Sequence, residues 1–207
     1  TEHIDFLQLR DFAVSTATRA AELIAARRAE LVAGDGIAAH TSTKSSDVDP
    51  VTEVDTATEE FIATTIRTQR PGDGIFGEEG ANVESTSGVT WIVDPIDGTL
   101  NFLYGVPDFA VSIGAEYQGR LVAGAVVNVA RGRTYAAAAG QGATVTGPDG
   151  KAHPLQCAHT KNPALALVAT GFGYDAQRRA AQAELLTKLL PQVRDIRRIG
   201  AAALDLC

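Results

Sequence analysis

Trp91-Ile92-Val93-Asp94-Pro95-Ile96-Asp97-Gly98-Thr99-Leu100-Asn101-Phe102 is the stretch on which the reading of this chain turns. The apolar run from Trp91 to Val93 reads as a strand that delivers Asp94 to its end. Pro95 removes a backbone donor there, and Asp97-Gly98 forms a tight turn that presents more oxygens nearby. Two carboxylates with the Ile96 carbonyl between them make an all-oxygen pocket, which hard cations such as Mg²⁺ prefer. The N–H groups of Gly98 and Thr99, at a helix start, can hold a phosphate oxygen. An Asp-Gly turn after a strand is common by itself; the whole arrangement is not.

Two other acidic elements stand upstream. Gly77-Glu78-Glu79-Gly80 follows the short strand Ile75-Phe76. Paired Glu in a loop is usually solvated charge, but flanking glycines at a strand end permit close backbone approach and favour a ligand role. The segment Lys44-Ser45-Ser46-Asp47-Val48-Asp49-Pro50-Val51-Thr52-Glu53-Val54-Asp55 leads into a helix. Thr52 to Asp55 reads as its capping box, and Asp55 could equally point into a site and orient a hydroxyl. Spacing alone leaves both readings open. A phosphate monoester is a dianion that a cluster of Glu and Asp repels, so an acidic site for such a substrate requires bound cations to reverse the local sign. Two Mg²⁺ ions about 4 Å apart would activate water on one side and stabilise the leaving alkoxide on the other.

Around these motifs the periodicity changes from helical to extended. Apolar positions at Ile4, Leu7, Phe12, Ala13, Leu23, Ile24 and Leu31 predict a helix over residues 4–32, stopped by Gly34 and Gly36. A polar loop over residues 41–50 precedes a second helix from Thr52 to near Pro71, with Val54, Ala57, Phe61, Ile62 and Ile66 inward. Residues 110–116 and 121–129 read as a hairpin joined through Tyr117-Gln118-Gly119-Arg120. Further strands are expected over 134–138, 164–169 and 194–198, an amphipathic helix over 175–190, and a last helix opening at Gly200. Helix, strands, then helix indicate a layered α+β domain rather than simple βαβ repeats. The 207 residues fit a single domain, with a subdomain over 1–140 carrying most of the ligands and another from 141.

Composition narrows the function classes. A hydrophobic content of 45% and a charged content of 21% are those of a soluble globular protein. The net charge of −7 and the absence of a basic stripe argue against broad nucleic-acid or anionic-membrane binding. The arginine pairs 27–28, 178–179 and 197–198 are isolated and read as solvated element ends. Cys157 and Cys207 have no metal or redox spacing and read as buried free thiols in a reducing compartment. No apolar run approaches a membrane span and the N-terminus has no signal pattern, so the expected location is the cytoplasm.

Taken together, the segment 44–55, Gly77-Glu78-Glu79, the stretch 91–102 and Arg198-Ile199-Gly200-Ala201-Ala202-Ala203-Leu204-Asp205-Leu206-Cys207 resemble the inositol monophosphatase family of Mg²⁺-dependent, Li⁺-sensitive sugar-phosphate phosphatases. The resemblance implies a layered αβαβα sandwich and a homodimer. It implies that Glu78, Asp94 and the Ile96 carbonyl hold one metal, that Asp94 and Asp97 hold a second, and that Glu78 helps with a looser third. Thr99, oriented by Asp55, would position the attacking water, so Glu78, Thr99 and Asp55 are the catalytic group. Glu78, Ile96, Asp97, Gly98 and Thr99 would meet the phosphate end, Gly200, Ala201 and Ala202 the ring, and Lys44 would be an auxiliary residue. The family carries a further Trp-Asp motif after the Gly200 helix, and a chain ending at Cys207 inside a helical pattern reads as truncated before that ligand. Rival activities inside the family are fructose-1,6-bisphosphatase, 3′-phosphoadenosine-5′-phosphate phosphatase and histidinol-phosphatase. Asn101-Phe102 favours the inositol branch over the nucleotide one. Outside catalysis, bacterial relatives that contact the transcription machinery suggest a second, binding role.

Overall fold

The computed structural model describes residues 4–34, 36–43 and 50–207. Helix α1 (Phe6–Ala33) starts where the Asp5 side chain accepts the Leu7 N–H at 2.8 Å. Its buried stripe of Leu9, Ala13, Ala17, Ala20 and Ile24 falls at steps of three and four residues. The many alanines let it lie close across the sheet. A 3₁₀ turn (Ile37–His40) leads to strands β1 (Thr41–Thr43) and β2 (Pro50–Thr52), which pair antiparallel. The loop expected over 41–50 is thus flanked by a small ribbon, as the β-favouring Thr and Val residues allow. Helix α2 (Glu53–Gln69) follows directly.

Strands β3 (Gly74–Gly77), β4 (Asn82–Val83) and β5 (Val89–Asp97) come next, then the short helix α3 (Thr99–Tyr104). Strands β6 (Ala110–Tyr117), β7 (Arg120–Asn128), β8 (Arg133–Ala138), β9 (Gly142–Thr146) and β10 (Ala152–Leu155) form a meander. The sheet order is β10-β9-β8-β7-β6-β5-β3-β4, antiparallel except where β3 runs parallel to β5. The β6–β7 turn uses Gln118 at φ 50° and Gly119 at φ 77°, the paired positive φ of a tight hairpin. Last come β11 (Leu167–Ala169), α4 (Ala176–Leu189), β12 (Asp195–Arg197) and α5 (Ala202–Asp205).

Side-chain alternation divides the sheet into two faces. Val111, Ile113 and Ala115 of β6 point into the main core with Trp91, Val93, Ile24 and Ile62, beneath α1 and α2. Ala110, one position away, packs instead with Ala201 and Leu204 of the α5 segment. Together α1 and α2, the sheet, and the thin α5 layer make the mixed α+β layering that the sequence indicates.

Four expectations are corrected. Residues 163–165 form a 3₁₀ turn and only Leu167–Ala169 is strand, because the N–H groups of Ala164, Leu165 and Ala166 bond back to Asn162 and Pro163 within the turn. Strands β11 and β12 pair parallel across α4, a βαβ unit that the layered reading did not foresee. Helix α4 is helical as expected but buries no residue. Cys157 and Cys207 are both exposed rather than buried.

Candidate active site

The register of β5 explains why its two aspartates can act together. Asp94 lies opposite Ser112 and Asp97 opposite Ala110, so three steps on β5 match two on β6. That one extra residue is a bulge, and it turns Asp94 and Asp97 to the same face of the sheet, the face shared with Ala110 and α5. Without it, residues three apart would point to opposite sides.

The parallel neighbour supplies the third carboxylate. Gly77 of β3 pairs with Val93 of β5, and the Glu78 N–H donates to the Val93 carbonyl at 3.1 Å. Glu78, just past the carboxyl end of β3, therefore lies beside Asp94 in the carboxyl half of β5, near where open α/β sheets carry their sites. Asp97 is held from above, accepting the Ala202 N–H at 3.1 Å and the Ala203 N–H at 2.7 Å. Burial pushes the Asp97 carboxyl up from its ordinary value, the two backbone donors pull it down, and the charges of Glu78 and Asp205 raise it further.

Among the described residues, no three His, Cys, Asp or Glu side chains converge on a single cation position. Both Asp97 oxygens accept N–H groups of the α5 segment. Each still has a second lone pair, and the donor set of three carboxylates and the Ile96 carbonyl is all oxygen, the chemistry that Mg²⁺ takes. The residues present fit such an ion.

Helix α2 brings the fourth acid. Asp55 is buried, and its Oδ2 accepts the Thr52 N–H at 2.9 Å and the Thr52 hydroxyl. Its Oδ1 faces the Thr99 hydroxyl at 3.3 Å, and that hydroxyl also reaches the Ile96 carbonyl at 3.1 Å. The capping box that the sequence indicates is formed through Oδ2, and Oδ1 is the oxygen that faces Thr99. Gly98 enters α3 at φ 90°, and a Cβ there would lie 3.0 Å from the Ala201 Cβ and 3.2 Å from the Gly200 oxygen. Gly200 to Ala202 thus rest directly on the Gly98 turn. Lys44 lies outside the described residues.

Three polar supports carried no role in the sequence reading. Asn101 Nδ2 donates to the Asp108 carbonyl at 2.6 Å and the Ile199 carbonyl at 2.9 Å, tying α3 to the Gly200 segment. Buried Asp73 accepts Trp91 Nε1 at 2.8 Å and the Ser87 hydroxyl at 2.6 Å, with Arg70 beside it, and so anchors the start of β5. Glu59, one turn after Asp55, accepts backbone N–H groups of the Glu78 loop. Only the quoted Asn101 had a signal in the sequence. Next to α3 opens a cavity of about 1050 Å³, whose walls include Thr41, Leu100, Tyr104, Tyr174, Arg179 and Arg198.

A helix-covered mixed sheet with carboxylates at adjoining strand ends and a hydroxyl–carboxylate pair beside them defines a layered α+β phosphatase. The chain belongs to the inositol monophosphatase family, whose model matches residues 5–207. It is 50% identical to the inositol-1-monophosphatase SuhB of Mycobacterium tuberculosis over 97% of this chain and 71% of that protein. It is 38% identical to the Nus factor SuhB of Pseudomonas aeruginosa over 76% of this chain and 59% of that one. The solved structure of Mycobacterium tuberculosis SuhB superposes with a TM-score of 0.83 at 44% identity, covering 99% of this chain and 74% of that chain.

Proposed function

We propose that the protein hydrolyses myo-inositol monophosphate to inositol and inorganic phosphate, with Mg²⁺ held by Glu78, Asp94, Asp97 and the Ile96 carbonyl. The observation that carries this reading is the Thr99 hydroxyl, held between Asp55 and the Ile96 carbonyl at the end of the acidic strand. When bound, Mg²⁺ supplies the positive charge that admits a phosphate dianion and makes water there more acidic. Asp55 fixes the rotamer of Thr99, so the hydroxyl oxygen accepts from a water and aims it at phosphorus. The backbone N–H groups of Gly98 and Thr99 donate to a phosphate oxygen, and Gly200, Ala201 and Ala202 border the ring. Glu78 completes the catalytic group, and Lys44 is an auxiliary residue.

Family membership supports three companion expectations: inhibition by Li⁺, a homodimer and a cytoplasmic location. The test is phosphate release from myo-inositol 1-phosphate. Turnover should vanish with a chelator, return with Mg²⁺ and fall again with Li⁺; chelation without effect would sink the metal assignment.

Two observations favour second readings. Neither Arg179 nor Arg198, both lining the cavity beside α3, pairs with a carboxylate among the described residues. That favours a substrate with a second anionic group, such as fructose 1,6-bisphosphate, and Arg198→Ala should then raise KM for the bisphosphate alone. The Nus factor name of the Pseudomonas aeruginosa relative supports a role in transcription. Failure to co-purify with the transcription machinery would remove that role.

A further inference from the structure

Glu59 is a carboxylate that nothing in the reaction described above uses, and its burial calls for an explanation. It is 4% exposed, and among the described residues no Lys, Arg or His forms an ion pair with it. A buried carboxylate without a cation is costly unless hydrogen bonds hold it. The two it accepts are both from the backbone of one loop: Glu79 N–H to Oε2 at 2.7 Å and Ala81 N–H to Oε1 at 2.8 Å.

The loop is shaped around this side chain. A Cβ at Gly77 would lie 2.4 Å from Glu59 Oε2, so only glycine leaves room for the carboxylate at the end of β3. The peptide units on both sides of Glu78 are then fixed. Its own N–H donates to the Val93 carbonyl at 3.1 Å, which sets it beside Asp94, and the next N–H donates to Glu59. Asp55 and Glu59 are four residues apart on α2 and so lie on one face of it. The first reaches the Thr99 hydroxyl and the second the Glu78 loop.

We propose that Glu59 is a positioning residue that holds Glu78 in place for the divalent cation, and that α2 aligns the water-orienting pair and the cation-binding loop from a single rigid face. This rests on the assignment of Glu78 as a metal ligand. The Glu59 carboxylate touches neither cation nor substrate and acts through the loop backbone alone. Its loss therefore weakens cation binding more than it slows the loaded enzyme.

Glu59→Gln is nearly isosteric but offers one acceptor where two N–H donors need one each. Calorimetric titration of the metal-free protein with Mg²⁺ alone should show affinity reduced by about 10- to 100-fold, the scale on which supporting partners of metal ligands act. At saturating Mg²⁺, kcat and KM for myo-inositol 1-phosphate should stay within about threefold of wild type, a split that a general loss of stability would not give. The amides of Glu79 and Ala81 should exchange faster with solvent, while that of Asp55 should not. If Glu59→Gln fails to fold, Gly77→Ala pushes the same contact apart from the loop side and should reduce Mg²⁺ affinity likewise. Unchanged Mg²⁺ affinity in whichever variant folds overturns the proposal. Glu78→Gln separates the two readings. If it leaves Mg²⁺ binding intact, the assignment of Glu78 fails; if it abolishes binding while Glu59→Gln has no effect, only the role of Glu59 falls.

Discussion

The region up to Ala138 and the region from residue 139 to residue 200 differ sharply in how they are held. Every buried apolar residue except Ala201 and Leu204 lies between Leu9 and Ala138. Between 139 and 200 no residue is buried, and Leu167, Leu185 and Leu190 are each more than half exposed. The first region packs α1 and α2 closely onto one face of the sheet; the second extends the sheet by backbone pairing through β9 and β10 and adds a thin βαβ unit. All the candidate acids sit in the first. Carboxylates that must stay close despite mutual repulsion need a scaffold that cannot relax, and a dense core provides it. The chain beyond Ala138 meets the site through residues 199–203, which cover the Gly98 turn and cap Asp97, and through Tyr174, Arg179 and Arg198 along the cavity beside α3.

This contrast breaks most readily at Trp91. Its ring is fully buried, packs tilted against Phe12 with centroids 4.9 Å apart and donates to buried Asp73. Trp91→Ala should cost about 5 kcal/mol, the upper end for aromatic truncation, because it also takes a donor from Asp73. Leu185→Ala on α4, 66% exposed, should cost under about 0.5 kcal/mol. Chemical denaturation of both variants checks the pair; similar losses would mean that α4 is packed in solution against something that the intramolecular contacts do not supply.

Asp94→Asn should sharpen the comparison by separating chemistry from packing. The change is isosteric at a half-buried position within β5. It should lower kcat by about 10³-fold, close to 4 kcal/mol of transition-state stabilisation, with little change in melting temperature. Activity within tenfold of wild type would reduce Asp94 to a turn residue. Thr99→Ala and Asp55→Asn should each lower kcat far more than they raise KM. Their double variant should be little worse than either single, because the two form one unit.

Asn101 joins the two regions, so its removal should loosen the second without unfolding the first. Asn101→Ala leaves the Asp108 and Ile199 carbonyls without their donor and should cost about 1–3 kcal/mol. Amide exchange should accelerate over residues 195–205 and remain slow in β6 and β7. Uniform acceleration would show that the regions unfold as one.

The parts legible in the sequence were those where local chemistry and packing agree. The caps and periodicity of α1 and α2, the Gln118-Gly119 hairpin and the dense stretch 91–102 specify their own structure. The bulge between Asp94 and Asp97 was not legible, because residue spacing is silent about the register of the neighbouring strand. Strand β9, built largely of Gly, Ala and Thr, and strand β10, Ala-His-Pro-Leu with a proline inside it, carry no apolar alternation to announce them. On α4, amphipathic spacing suggested an inward face, yet periodicity states only which residues share a face and not whether anything covers it. Glu59 reads as ordinary helix-surface charge until the loop that it binds is folded against it.

A small electrostatic effect is expected at the seam. Asp108 holds Arg131 through two bonds, Nε at 2.8 Å and Nη2 at 2.9 Å, and its backbone carbonyl receives Asn101. The Arg131 guanidinium keeps the Asp108 carboxyl below its ordinary value, helped by Asn128. A depressed folded pKa adds stability above the unfolded value, about 3.9 for Asp, and that stability is lost as the pH falls through the folded value. Both groups are partly solvated, with side-chain exposures of 23% and 49%, so screening keeps the contribution under about 1 kcal/mol. Asp108→Asn should therefore lower stability slightly at pH 7, and the gap from wild type should close as the pH falls below the ordinary carboxylate range. Thermal unfolding of both proteins across that range is the measurement. A gap that persists at low pH would mean that Asp108 supports the Gly98 turn through shape and backbone bonding rather than through charge.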